Sequence, residues 1–342
     1  MKSKKQITLA DIAKKLNVSK VTVSKALRNH SDISSEMKKK VQDLVDELGY
    51  TPNIIARNLS AKKTRTIGLV IPKINHHFFA EAIESIYTTA QKSNYEIIMT
   101  VSQENVDHEQ KHIRSLLAMR VDGLLISVSE NTTDTEIFKD LKKRHVPLVF
   151  FDRVIEGLGF NCITSDDEKG SYEIVKYAIE QGYRKIGHIG GYNNTNIGKA
   201  RCEGYLRALK EAGIEPDPAC LICGGFSVND GYRGFMNFYN NKNLPQMIFA
   251  VTFPVALGIY RAVEELGLNI PRDIDVVSFG DASYNQFLNP SITGVHQPAA
   301  EIGKAALELL IDQIEEKEPI EEKKIVMPVK ISLGQTCIKK EK

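Results

Sequence analysis

The run Lys20-Val-Thr-Val-Ser-Lys25 near the amino terminus carries the most legible chemistry in the chain. At helical spacing Lys20, Val21, Thr22, Ser24 and Lys25 face outward, while Val23 and Leu27 share an inner face. Lysines neutralise phosphates or reach guanine acceptors, hydroxyls bond phosphates or bases, and a small apolar group touches a thymine methyl. That set suits the groove-reading helix of a helix-turn-helix, with a protein-binding helical hairpin as the competing reading. A second set suits a small molecule, because open α/β sheets bind ligands outside the carboxyl ends of their strands. After the strand-like residues 66–71, Phe78 and Phe79 can wall an apolar site or pack into the core. Asp166 can accept from hydroxyl donors or cap the helix that follows it. Residues 190–198, including Asn194 and Thr195, offer amides and hydroxyls and lead to Arg201, while Asp281 follows the strand-like residues 276–279.

Signals for catalysis are weak. Gly187 and Gly190-Gly191 follow a strand without completing Gly-x-Gly-x-x-Gly, and neither Gly-x-Ser-x-Gly nor a Walker-type motif occurs. His76-His77 lacks a third ligand at metal spacing and reads as a solvated pair. Cys220-Leu-Ile-Cys223 has redox or metal spacing, yet no second Cys/His pair stands near, so strand-buried thiols are the preferred reading. The five cysteines are scattered, as expected of reduced thiols in a cytoplasmic protein. No metal and no cofactor is expected.

The elements that must position these residues fall into two regions. Thr8-Leu-Ala-Asp11 resembles a capping box opening a helix, Ser19 can cap the second helix, and a third over residues 34–48 stops at Gly49. From residue 66 onward, strands alternate with helices, which implies βαβ units and parallel sheets in two similar lobes. Between them, Pro52 suits a turn and Asn53 an N-cap, after which residues 54–61 can make about two helical turns. So short a helix is marginal in water and forms only when something packs on it; a flexible linker is the alternative.

Charge divides along the same line. Residues 1–65 hold 15 Lys and Arg against 6 Asp and Glu, and the remainder 30 against 37. A basic module attached to a slightly acidic body seeks a polyanion. The 342 residues, 42% of them hydrophobic, allow two or three compact units. No apolar run approaches a membrane span, so no membrane partner is expected.

Residues 8–27, with Leu48-Gly-Tyr-Thr-Pro-Asn-Ile-Ile-Ala-Arg-Asn-Leu59, closely resemble the head of the lactose/galactose-repressor (LacI/GalR) family of bacterial transcription regulators. The resemblance extends over nearly the whole chain, whose body is similar to periplasmic sugar-binding proteins. It implies an all-α helix-turn-helix head over residues 1–50, a hinge helix and linker over 51–65, and an effector-binding and dimerisation domain over 66–342 with a periplasmic-binding-protein-like α/β fold. Lobe 1 would comprise about residues 66–161 and 293–326, and lobe 2 residues 162–292 and 327–342. The resemblance implies double-stranded operator DNA as partner, contacted from Thr8, Leu9, Ser19, Lys20, Val21, Thr22, Ser24, Lys25 and Arg28 in the head. Asn53, Ala56 and Leu59 would contact it from the hinge, with Leu59 as an apolar wedge between base pairs of the minor groove. It implies a homodimeric repressor and an effector held by Phe78, Phe79, Asp166, Asn194, Thr195, Arg201, Phe226 and Asp281. Thr252-Phe253 replaces the Asn-Asp common in the family, and Gly280 replaces an acid. Fewer groups then meet sugar hydroxyls, which favours a sugar phosphate, a sugar acid or a less polar ligand over a plain hexose and leaves a nucleobase less favoured.

Overall fold

The computed structural model describes residues 7–27, 29–50, 63–315 and 322–339, which divide between two compact units, Met1–Thr64 and Arg65–Lys342. Arg28, Asn53, Ala56, Leu59 and the expected helix of residues 54–61 lie outside the described residues.

The amino-terminal unit holds α1 (Leu9–Lys15), α2 (Lys20–Leu27) and α3 (Ser35–Leu48). Each start and stop has a local cause. The Thr8 amide and hydroxyl both donate to the Asp11 carboxylate, at 2.8 and 2.7 Å, and the Ser19 hydroxyl accepts the Thr22 amide at 3.0 Å. Gly49 adopts φ +60° and ends α3, and the Tyr50 amide turns back to the Val45 carbonyl. Ile12, Val23, Val41, Val45 and Tyr50 form one small core, with Leu9 packed against it.

The second unit alternates strand and helix. Its first part runs β1 (Thr66–Ile71), α4 (His77–Lys92), β2 (Glu96–Val101), α5 (Val106–Ala118), β3 (Gly123–Ile126), α6 (Glu136–Lys143), β4 (Leu148–Phe151) and β5 (Asn161–Ser165). The second part runs α7 (Asp167–Glu180), β6 (Ile186–Gly190), α8 (Asn196–Glu211), β7 (Leu221–Cys223), α9 (Val228–Asn240), β8 (Met247–Ala250), α10 (Phe253–Glu265), β9 (Asp275–Phe279) and β10 (Thr293–His296). The chain then returns through α11 (Ala299–Glu315), β11 (Lys324–Met327) and β12 (Lys330–Ser332).

Two six-stranded sheets result, ordered β11-β5-β4-β3-β1-β2 and β12-β10-β9-β8-β6-β7. All pairings are parallel except that of β10 with β12. Helices cover both faces, so central strands such as Leu-Val-Phe-Phe151 and Met-Ile-Phe-Ala250 are buried throughout. In the first lobe α4 packs on α11, and a Cβ at Gly303 would lie only 2.4 Å from the Ala82 carbonyl oxygen, so that contact requires glycine.

Sheet membership moves two expected lobe crossings. β5 pairs with β4 and β11 and therefore belongs to the first lobe, so the chain leaves that lobe at Asp166 rather than after residue 161. β10, expected at the start of the returning first-lobe segment, pairs with β9 and β12 in the second lobe. The Thr293 amide and hydroxyl both bond Thr336, at 2.8 and 2.7 Å, and hold this short strand there; the return crossing follows at Gln297.

Candidate functional site

Two faces of the chain carry the candidate residues, one in each unit. On the head, Lys20 is exposed, Val21 is 63% exposed, and Thr22, Ser24 and Lys25 are partly exposed. Thr8 and Ser19 are exposed and spend their hydroxyls on helix starts, whereas Leu9 is partly buried against the core. Lys25 Nζ lies 2.5 Å from Asp32, whose carboxylate also faces His30 at 2.7 Å, so this cation is shared with a carboxylate in the free head. The Lys25 hydrogen bond holds the Asp32 carboxyl below its ordinary range.

The second face is the cleft between the lobes, where strand ends converge. A recess of about 300 Å³ is lined by Lys73, Asn75, His76, Phe79, Arg153, Phe226, Ser227, Val228, Asn229, Pro254, Leu257 and Tyr284. An adjoining smaller recess shares His76, Pro254 and Tyr284 and adds Phe78, Glu81, Phe253, Asp281 and Gln297. On the other side of Arg153 a third recess, of about 350 Å³, is lined by hydroxyl and amide side chains that include Ser129, Thr132, Asn194, Thr195 and Asn196.

Arg153, at the carboxyl end of β4, spans the cleft. Its Nη1 donates to both oxygens of partly buried Glu104, at 3.0 and 2.9 Å, and its guanidinium lies 4.8 Å from the centre of the Phe226 ring in the opposite lobe. Its Nε is sealed from solvent and has no hydrogen-bond partner. Lys73 Nζ approaches the same Glu104 at 3.4 Å. His76 Nδ1 is likewise sealed and unpartnered; burial first, then Arg153, Arg201 and Lys73, push this imidazole down to about 3, so it is neutral at pH 7. Burial raises Asp152 to about 6 against the pull of Arg153 and Arg201.

The lobes are fastened on both sides of Arg153. Asn196 donates from Nδ2 to the Asp152 carbonyl at 2.9 Å and accepts the Val154 amide at 3.1 Å, and Asn194 donates to the Glu130 carbonyl at 3.0 Å. At the other mouth the Ser283 amide donates to His77 Nε2 at 3.2 Å, and the His77 and Tyr284 rings meet edge to face. Thus neither histidine of the 76–77 pair is a simple solvated residue.

Not every expected effector residue reaches the cleft. Phe78, Phe79, Phe226, Asp281, Asn194 and Thr195 line its recesses, with Phe226 seated so closely on Gly191 that a Cβ there would be 2.2 Å from the ring. Phe78 and Phe79 are also core residues, 6% and 3% exposed. Asp166 lines none of them: its Oδ1 accepts the Lys169 amide and caps α7. Arg201 is 1% exposed and enclosed by its own lobe. Its Nε and Nη2 hold Asp167 at 2.8 and 2.7 Å, Nη1 donates to the Val251 carbonyl at 2.8 Å, and the Phe279 ring lies 3.8 Å beneath it. The guanidinium is thus held by a carboxylate, a carbonyl and an aromatic face of its own lobe.

Comparison with known proteins fits both faces. A family model described as "Bacterial regulatory proteins, lacI family" matches residues 8–53, and one described as "Periplasmic binding protein-like domain" matches residues 175–337. The HTH-type transcriptional repressor PurR of Edwardsiella ictaluri is 33% identical over 312 residues, 91% of each chain. This chain belongs to the LacI family. The ribose operon repressor of Haemophilus influenzae is 31% identical over 98% of each chain. A Lac repressor dimer solved with operator and the anti-inducer ONPF shares the fold at TM-score 0.85 and 24% identity, over 98% of this chain and 100% of that one.

As a LacI-family member the chain is a DNA-binding transcriptional regulator under small-ligand control. Among the described residues no helix is long and apolar enough to cross a membrane, and no three His, Cys, Asp or Glu side chains are grouped to hold a metal ion. Sequence reasoning missed Arg153, which stands just beyond a strand-like run where the strand-end rule directs attention. Lys73 and His76 stand between β1 and Phe78, and only their fold neighbours Glu104 and Arg153 reveal that they face the cleft.

Proposed function

We propose that this repressor binds pseudo-palindromic operator DNA as a homodimer and that its effector is a small organic anion, a sugar phosphate or a sugar acid, held between the lobes. The supporting observation is the lining of the 300 Å³ recess, in which Lys73, Arg153, Asn75, Ser227 and Asn229 supply donors and no carboxylate takes part. Neutral hexoses are commonly held by side chains that accept from their hydroxyls; this recess instead offers cations beside Phe79, Phe226 and Tyr284, which suit an anionic group on a compact ring. Glu104, the carboxylate partner of Lys73 and Arg153 at 3.4 and 2.9 Å, is not itself part of that lining.

Ligand bridging the lobes would bias their relative setting, and about 1–3 kcal/mol of coupling changes operator affinity by about 5–150-fold. Exposed Lys20 and Val21 on α2 support the groove-reading role of the head. The test is a melting-temperature screen of the full chain with sugar phosphates, sugar acids, neutral hexoses and nucleobases at saturating concentration. Stabilisation by members of the first two groups alone is expected. A hexose or nucleobase that stabilises the chain while every anion fails overturns the assignment.

A further inference from the structure

The amino-terminal unit is strongly basic, with 15 Lys and Arg against 6 Asp and Glu over residues 1–65, yet it sets a carboxylate on an outward lysine of α2. Asp32 lies in the connection between α2 and α3, which brings it back beside Lys25. One Asp32 oxygen accepts from Lys25 Nζ at 2.5 Å, and the other lies 2.7 Å from His30 Nδ1, so basic side chains engage both. The Lys25 and Asp32 side chains are 38% and 45% exposed, so the pair lies at the surface and opens without disturbing the core. Lys20, at the other end of α2, is exposed.

We propose that Asp32 is a specificity-determining residue of the DNA-binding face: it withholds Lys25 from phosphates of non-operator DNA and releases it where base acceptors draw the lysine into the major groove. The inference rests on the reading of α2 as the groove-reading helix. A lysine paired with a carboxylate presents no net charge, so it displaces no condensed counterion when the head rests on an arbitrary sequence. There α2 is not seated by base contacts, and a phosphate offers Lys25 only the charge that Asp32 already supplies at 2.5 Å. On a matching sequence the O6 and N7 acceptors of guanine add a directed contact, and an exposed ion pair is weak enough to yield to it. Asp32 thereby subtracts from sequence-independent affinity and leaves the base contact open, which widens the ratio between operator and other DNA.

The test is the salt dependence of DNA binding by the full chain without added ligand. Fluorescence anisotropy reads it on a short duplex of arbitrary sequence and on an operator duplex that the wild type selects from a random library. On the arbitrary duplex, Asp32→Asn is expected to steepen log affinity against log salt by about 0.9 per bound head, one released counterion, and to raise affinity by up to about eightfold per head at about 0.1 M salt. The operator slope is expected to stay unchanged. In a Lys25→Ala background the same replacement should leave both slopes unchanged, because no lysine is freed. Lys20→Ala checks the underlying reading and should weaken binding to both duplexes; no effect there overturns the assignment of α2 and the inference with it. Where Lys20→Ala does weaken binding, unchanged slopes in Asp32→Asn, equal steepening on both duplexes, or equal steepening without Lys25 overturns the inference alone.

Discussion

The two lobes each place a buried arginine near the cleft, and the two arginines are held in opposite ways. Arg201 finds Asp167, the Val251 carbonyl and the Phe279 ring within its own lobe, so it braces that lobe. Arg153 takes its carboxylate from one lobe and its aromatic face from the other, and its Nε is left without a partner. A guanidinium satisfied from one side is structure; one divided between two bodies responds to their separation. The difference teaches that burial and charge alone do not mark a sensing residue. The origin of its partners does.

The sharpest way to break the comparison is to remove each arginine in turn. Arg201→Ala leaves Asp167 buried without its cation and is expected to cost about 3–5 kcal/mol, read by chemical denaturation of the full chain. Arg153→Ala is expected to cost less, because Glu104 keeps Lys73 and the Glu130 amide as partners. Equal losses would remove the distinction. Asp152, which lies in the field of both arginines, supplies the next test. Its carboxyl is raised to about 6, so its stabilising contribution is present in full below the unfolded value near 4 and is lost as pH rises through about 6. Asp152→Asn, a residue that tolerates the φ of +59° at this position, removes that loss. The stability of the variant relative to wild type is expected to rise by up to about 1.4 kcal/mol per pH unit between about pH 4 and 6, then level off. A flat difference would show that the arginines offset burial completely. The smallest effect is expected from Asn196→Ala, which removes two bonds between the lobes at about 1 kcal/mol each, read as a lowered melting temperature, and should loosen the setting of the lobes, seen as a change in effector affinity.

Much of the fold was legible because its strands are continuous apolar runs and its helices keep their period; β1 spans residues 66–71 as the sequence places it, and β9 contains the strand-like residues 276–279. β10 was not, since Thr-Gly-Val-His296 is short and mixed, and a tether to distant Thr336 fixes its sheet. At the site, residues on strand-end loops were readable as candidates, and Phe226 and Asp281 do line the cleft. Their partners were not, because a partner is a property of the fold. Asp166 became a helix cap and Arg201 a brace through contacts with Lys169 and Asp167, while the role of Arg153 emerged only with Glu104 and Phe226 around it.

The central claim is that the divided arginine reads an anionic effector. It is tested most directly by calorimetric titration of the full chain, and of its Arg153→Ala variant, with a stabilising sugar phosphate and its dephosphorylated parent. Wild type is expected to prefer the phosphate ester by at least about tenfold, some 1.4 kcal/mol, and the variant to lose most of that preference. Equal affinity of wild type for ester and parent sugar, or an undiminished preference in the variant, would contradict it.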